Sequence, residues 1–324
     1  MKNNEYLPEE IYKAFVNNDI NNKTALNLLV SIIEEGEDEY TRESSLNILE
    51  TRLGLFNIKV FDLSENLLLS DSNSRIRNAA ARILKNKFLF KAIPLFKWVL
   101  QHESDLVCLI TITESLVLIK NKESKIILLN ELKKIMKLKW INKEKRIENN
   151  KHKRNLKRLF KTKKISLFTQ SELSEILINY FVIKNLSNSI SNVFFELDAS
   201  NGLISELDLS DDLEYEVKGT PWGWKNNIKS ISDIEGLNYL KNLKKINFTN
   251  NQIENLDDIS FLKNITHLIL TNNNLSNKKN IDYLKNLPKL EYLDLRGNDI
   301  VNKIHSLNFD SKLRVLLKDE IIIK

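Results

Sequence analysis

The chain has 324 residues, 42% of them hydrophobic and 8% aromatic, with a formal net charge of +6. That length holds two ordinary domains with cores of their own, and the composition excludes a disordered chain. Gly and Pro number only 7 and 4, which disfavours turn-rich β-sandwich and Rossmann-type dinucleotide folds and suits long helices.

The first residues, MKNNEYLPEE, lack the apolar core of a signal peptide, and no apolar run approaches the roughly 18 residues of a membrane span. A soluble, cytoplasmic protein is expected. Lys, Asn and Ile are heavily used throughout, as AT-rich coding produces, so part of the basicity has a compositional origin. Amphipathic helices follow: TALNLLVSIIEE, RESSLNILETRL, VFDLSENLLLS, SRIRNAAARILKNKF, AIPLFKWVLQ and CLITITESLVLI, with apolar residues at the helical period. Arg42, Ser45 and Leu49 recur as Arg77, Ala80 and Leu84, then as Ile112, Ser115 and Ile119, at steps of about 35 residues, the size of a helical-hairpin repeat. Asp71 and Ser74 are candidate N-caps. Cys108 is the one cysteine, so no intramolecular disulfide or cysteine-cluster metal site exists, and its apolar helix predicts a buried thiol. The unit SDSNSRIRNAAARIL resembles the second helix of a HEAT repeat through Asp71, Ile76, Arg77 and Ala80. The resemblance spans roughly residues 20–137 and implies an α-solenoid of helix pairs. The first unit lacks the Asp and the third lacks the Arg.

Residues 143–164, KEKRIENNKHKRNLKRLFKTKK, are the most basic segment. Lys153, Arg154, Lys157, Arg158 and Lys161 are candidate phosphate contacts, to nucleic acid or an anionic surface. The alternatives are an acidic protein partner or simply a solvated helix or linker. Aromatic interleaving is thin, with Phe160 alone, and Leu156, Leu159 and Phe160 share one helical side. A further helix is predicted in LFTQSELSEILINYFVIKNL, opened by Thr169 and Glu172 at capping-box spacing.

From about residue 203 the period changes. The pattern L-x-x-L-x-L-x-x-N-x-L is met by Leu243, Ile246, Phe248, Asn251 and Ile253, by Ile265, Leu268, Leu270, Asn273 and Leu275, and by Leu290, Leu293, Leu295, Asn298 and Ile300. ISELDLSDD is a weaker copy with Asp in place of Asn, and KLRVLLKDE reads as a closing strand. IEGLNYLKNL, ISFLKNI and IDYLKNLPKL supply short helices on the opposite side. These segments resemble the short type of leucine-rich repeat found in a regulatory subunit of protein phosphatase-1. The strand's alternate residues then face the core. The asparagine, with both a donor and an acceptor, satisfies backbone groups where the chain turns inward.

What remains free is the outward face of the concave sheet. By the period of two it comprises Glu206, Asp208 and Ser210, then Lys245, Asn247 and Thr249, then His267, Ile269 and Thr271, then Tyr292, Asp294 and Arg296. One column reads Glu206, Lys245, His267, Tyr292. This surface is the candidate protein-binding site, against the alternative of a generic solvated face. Trp222 and Trp224, in the insertion YEVKGTPWGWKNN, are either an exposed hot spot or a cover for the open repeat core. The four histidines show no metal-ligand spacing, and there is no phosphate loop or nucleophile elbow. No enzyme, metal or cofactor is expected. The fold reading is therefore a HEAT-like α-solenoid (1–140), a basic helical connector with one more helix (141–200), and a small α/β leucine-rich-repeat solenoid (201–324). The function expected is a non-enzymatic scaffold or regulatory adaptor for a protein partner. The alternative is a nucleic-acid-associated accessory protein that uses 143–164.

Overall fold

The computed structural model describes residues 7–54, 57–137, 159, 163, 167–190, 193–211, 226–303, 313–317 and 321–322. The chain divides into two compact units, residues 1–133 with 169–174, and residues 134–168 with 175–324. No helix among the described residues is long and apolar enough to cross a membrane.

The first unit is helical: α1 (Pro8–Val16), α2 (Asn22–Glu35), α3 (Glu39–Ile48), α4 (Ile58–Ser70), α5 (Ser74–Lys87), α6 (Ile93–His102), α7 (Leu106–Leu118) and α8 (Lys122–Lys137), which runs just past its end. Helices α2 and α3, α4 and α5, and α6 and α7 pack as consecutive pairs, while α5 also lies against both α3 and α7. Three fully buried alanines, Ala79, Ala80 and Ala81, keep α5 slim enough for neighbours on several sides. Helix α7 is apolar nearly all round, as a helix enclosed by others must be. Two of its buried hydroxyls bond to carbonyls one turn back, Thr113 to Leu109 at 2.7 Å and Ser115 to Thr111 at 2.6 Å, and a third, Thr111, donates to Asn78 Oδ1 of α5.

Each of the three pairs turns into its second helix through a short polar cap. Asp38, Asn73 and Asp105 accept from the backbone of Thr41, Ile76 and Cys108 respectively. Asn73, rather than the expected Asp71 or Ser74, is thus the cap of α5, and Asp71 instead accepts from the Asn73 amide at 2.9 Å. The residues whose amides bond the cap carbonyls are Arg42, Arg77 and Leu109. Leu109, and not Ile112, is therefore the third counterpart of the two arginines. Both arginines clasp the turn of their own pair and reach an acid of the next. Arg42 Nε donates to Ile33 O at 2.7 Å and its Nη2 pairs with Asp71. Arg77 Nη1 donates to Asp71 O and Ser72 O, and its Nε and Nη2 grip Glu103 at 2.7 and 3.0 Å. Asp71 and Glu103 are the residues that end α4 and α6, and Gly36 holds that position after α2, so the acid occurs only where an arginine precedes it. The predicted capping box is formed: Thr169 N donates to Glu172 Oε2 at 2.7 Å and Glu172 N to Thr169 Oγ1 at 3.2 Å. Next to it, Gln170 Nε2 donates to the carbonyls of Leu116 and Ile119, closing the end of α7.

In the second unit a seven-stranded sheet runs in chain order: β1 (Phe194–Leu197), β2 (Ile204–Asp208), β3 (Lys245–Asn247), β4 (His267–Ile269), β5 (Tyr292–Asp294), β6 (Arg314–Leu316) and β7 (Ile321–Ile322). Strands β2 to β6 are parallel, and β1 and β7 pair antiparallel at the two edges. The sheet thus begins at Phe194, upstream of the first recognisable repeat. Between strands the chain returns through short helical turns, including Leu237–Tyr239, Asp257–Phe261 and α10 (Lys279–Lys285) once α9 (Gln170–Ser189) is counted before the sheet. The Leu, Ile and Phe positions of the three repeats are buried, with Leu290 half-buried. Asn179 of α9 is also buried and accepts from Ile204 N at 2.9 Å, so the helix docks on the first parallel strand.

Candidate functional site: the outward face of the parallel sheet

The turn that follows each strand sets the geometry of the face. Asn251, Asn273 and Asn298 are buried and form the same set of bonds. Asn273 Nδ2 donates to Phe248 O of the previous repeat at 2.8 Å and to Leu270 O of its own at 3.0 Å, while its Oδ1 accepts from Ile253 N at 2.9 Å. Asn251 bonds to Leu209 O, Phe248 O and Ile228 N, and Asn298 to Leu270 O, Leu295 O and Leu275 N. Each amide therefore stitches one turn to its neighbour through groups that would otherwise be buried unpaired. The residue before each asparagine has a left-handed backbone, at Asn250, Asn272 and Gly297. A side chain at 297 would collide with the Asn272 amide, which explains the glycine there.

The strand registers align the outward residues in rows. Glu206 lies beside Lys245, Lys245 beside His267, and His267 beside Tyr292, the predicted column, which Arg314 extends. Glu206 and Lys245 form an ion pair at 2.8 Å, both well exposed. The His267 and Tyr292 rings stack, with centroids 5.5 Å apart and planes 22° from parallel, and the Arg314 guanidinium lies 5.8 Å from the Tyr292 ring centre. Thr266 Oγ1 and His267 Nδ1 share a hydrogen bond of 2.9 Å, which orients the imidazole. Burial, with the Asp294 carboxylate nearby, raises the pKa of the Tyr292 phenol, so it stays a donor.

The second row, Asp208, Asn247, Ile269, Asp294 and Leu316, is of a different kind. Asp208 accepts from Ser210 N, Asn247 from Thr249 N and Oγ1, and Asp294 from Arg296 N. These are Asx turns that bend the chain out of the strand. Asp294 is only 2% exposed, and Arg296 holds it through Nε and Nη2. Asp294 therefore offers no accessible carboxylate, whereas Thr249, Ile269, Thr271 and Arg296 stay partly open.

Residues 241–300 match the leucine rich repeat family. The repeat pattern, the parallel registers and the buried asparagines all fall within or next to that stretch, so the second unit contains a leucine-rich-repeat domain. No curated protein matches the chain. Trp222 and Trp224 lie outside the described residues, as do Lys153, Arg154, Lys157, Arg158 and Lys161.

Two features of the domain were not foreseen. Asn280 is 1% exposed and bridges Glu254 O and Leu256 N at 3.0 Å each, a second buried amide on the return side of the repeat. Arg314 also joins the outward row. Its strand was expected but its register could not be counted, because no complete repeat follows. In the helical unit Cys108 is buried, and burial, with Glu103 and Asp105 nearby, drives its pKa far upward, so the thiol is a poor nucleophile. His102 stacks on Trp98 with centroids 4.1 Å apart. Among the described residues no group of three or more His, Cys, Asp or Glu is placed to hold a metal ion.

Proposed function

We propose that the chain is a non-enzymatic cytoplasmic adaptor that binds a protein partner through the outward face of its leucine-rich-repeat sheet. The observation that carries this reading is the row Glu206–Lys245–His267–Tyr292–Arg314, five aligned side chains on consecutive parallel strands, accessible and preorganised by contacts with one another. Tyr and Arg are the residues that most often anchor protein interfaces, and a rigid sheet presents them with little entropy to lose. In this reading the helical unit is a HEAT-like solenoid. The consecutive helix pairs and the clasp of each repeated arginine on the next pair's acid support that. The repeats are of the short type that resembles the phosphatase-1 regulatory subunit. The test is quantitative co-purification from the source cells with wild-type chain and with a Lys245→Glu/Tyr292→Ala variant of unchanged melting temperature. A specific partner lost from the variant supports the adaptor. A partner recovered equally by both contradicts it.

A further inference from the structure

This inference rests on the adaptor reading and names the partner's chemistry. We propose that the His267–Tyr292–Arg314 tier is the centre of the site and that it takes an acidic segment of the partner protein, a carboxylate on Arg314 beside an apolar or aromatic side chain on the rings. The two halves of the face differ in charge. At β2 and β3 the Glu206 carboxylate pairs with the Lys245 ammonium, and Asp208, which makes no ion pair among the described residues, leaves this end net acidic. At β4 to β6 the one carboxylate among the described outward residues is Asp294, buried and held by Arg296. The charge of Arg296 is thus met by Asp294, and the excess positive charge of this half is Arg314, which is exposed and makes no ion pair among the described residues. The Arg314 guanidinium lies 5.8 Å from the centre of the Tyr292 ring, whose phenol, beside the Asp294–Arg296 pair, is a protonated donor that can bond the same carboxylate.

The apolar part of the occupant follows from the rings. His267 and Tyr292 present a stacked pair, and Ile269, partly open, stands in the adjoining row. A guanidinium resting on an aromatic ring is weakly hydrated and already positioned, so little is lost when it meets a carboxylate. A nucleic acid fits less well. Phosphates one nucleotide after another need a run of cations, and this sheet carries Glu206 and Asp208 at the far end of the same face. That acidic end also sets a direction, since it repels the charged part of the segment away from β2.

The probe is a random-peptide phage library selected on the immobilised full-length chain, with the chosen peptides resynthesised and their affinities measured. The variants are Arg314→Ala, Tyr292→Ala and, on the other half of the face, Lys245→Ala, each checked for an unchanged melting temperature. Peptides enriched in Asp or Glu next to an apolar or aromatic residue are expected, each weakened about tenfold or more by Arg314→Ala and by Tyr292→Ala. Arg314→Glu is expected to abolish their binding. Peptides weakened by Lys245→Ala but indifferent to Arg314→Ala and Tyr292→Ala would overturn the tier and leave the adaptor standing. Peptides indifferent to all three, or no enrichment, would overturn both. A labelled single-stranded oligonucleotide bound through Tyr292 and Arg314, with acidic peptides rejected, would overturn the assignment to protein.

Discussion

At the scale of single residues, the leucine-rich-repeat sheet rests on a few buried amides. Asn273 satisfies carbonyls of two successive turns and one amide of the earlier repeat. Alanine at that position leaves the Ile253 amide buried without its acceptor, while Phe248 O and Leu270 O keep the amides of Asn251 and Asn298, and Asn273→Ala is expected to lower unfolding free energy by about 1–3 kcal/mol in chemical denaturation. Lys245→Ala, on an exposed pair, is expected to change it by less than about 1 kcal/mol. Equal effects of the two substitutions would remove the structural role assigned to the amide. The asparagines were legible in sequence because a side chain with donor and acceptor recurs at one offset after three successive strands, β3, β4 and β5. The Asx turns were not. Asp208, Asn247 and Asp294 occupy outward strand positions, where alternation alone predicts a free polar side chain. The signal that reveals them is the short side chain two residues before Ser210, Thr249 and Arg296, at the strand's end.

At the scale of elements, the helix pairs are joined by the arginines that link one turn to the next. Burial opposes ionisation of Glu103, but Arg77 and the backbone amides of Ser104 and Asp105 outweigh it and hold its pKa below the ordinary value of 4.5. A carboxylate whose pKa is lower folded than unfolded adds stability above the unfolded value, and loses it as pH falls through the folded value. Glu103→Gln is therefore expected to cost about 1–3 kcal/mol at neutral pH. The gap to wild type should close as pH falls below about 4.5. A gap that stays constant down to acid pH would show that the ionised pair contributes nothing. Periodicity placed α2 to α7 within a few residues and named neither α1 nor α8. It misplaced the third unit because Ile112 mimics the apolar context of the earlier copies, whereas the caps Asp38, Asn73 and Asp105 mark the units by what their side chains bond. The pairing of Arg42 with Asp71 and of Arg77 with Glu103 explains the two departures from the repeat pattern. The acid is missing where no arginine comes before it, and the arginine is missing at Leu109, so neither absence leaves a buried charge unpaired.

At the scale of the whole molecule, the chain forms two compact units, one of packed helix pairs and one around a largely parallel sheet. The row across the sheet was legible from sequence because a period of two and a fixed repeat length determine which side chains become neighbours. Its internal contacts were not, since the stacking of His267 on Tyr292 and the approach of Arg314 depend on rotamers and on the twist of the sheet. The most direct measurement of the central claim is site-specific photo-crosslinking in the source cells. The photoreactive residue is placed at Thr271 or Ile269 on the outward face, or at Asp258 or Lys285 on the return side. The adaptor account predicts one protein partner captured from both outward positions and from neither return-side position. Capture from the return side alone, or equal capture from all four, would contradict it.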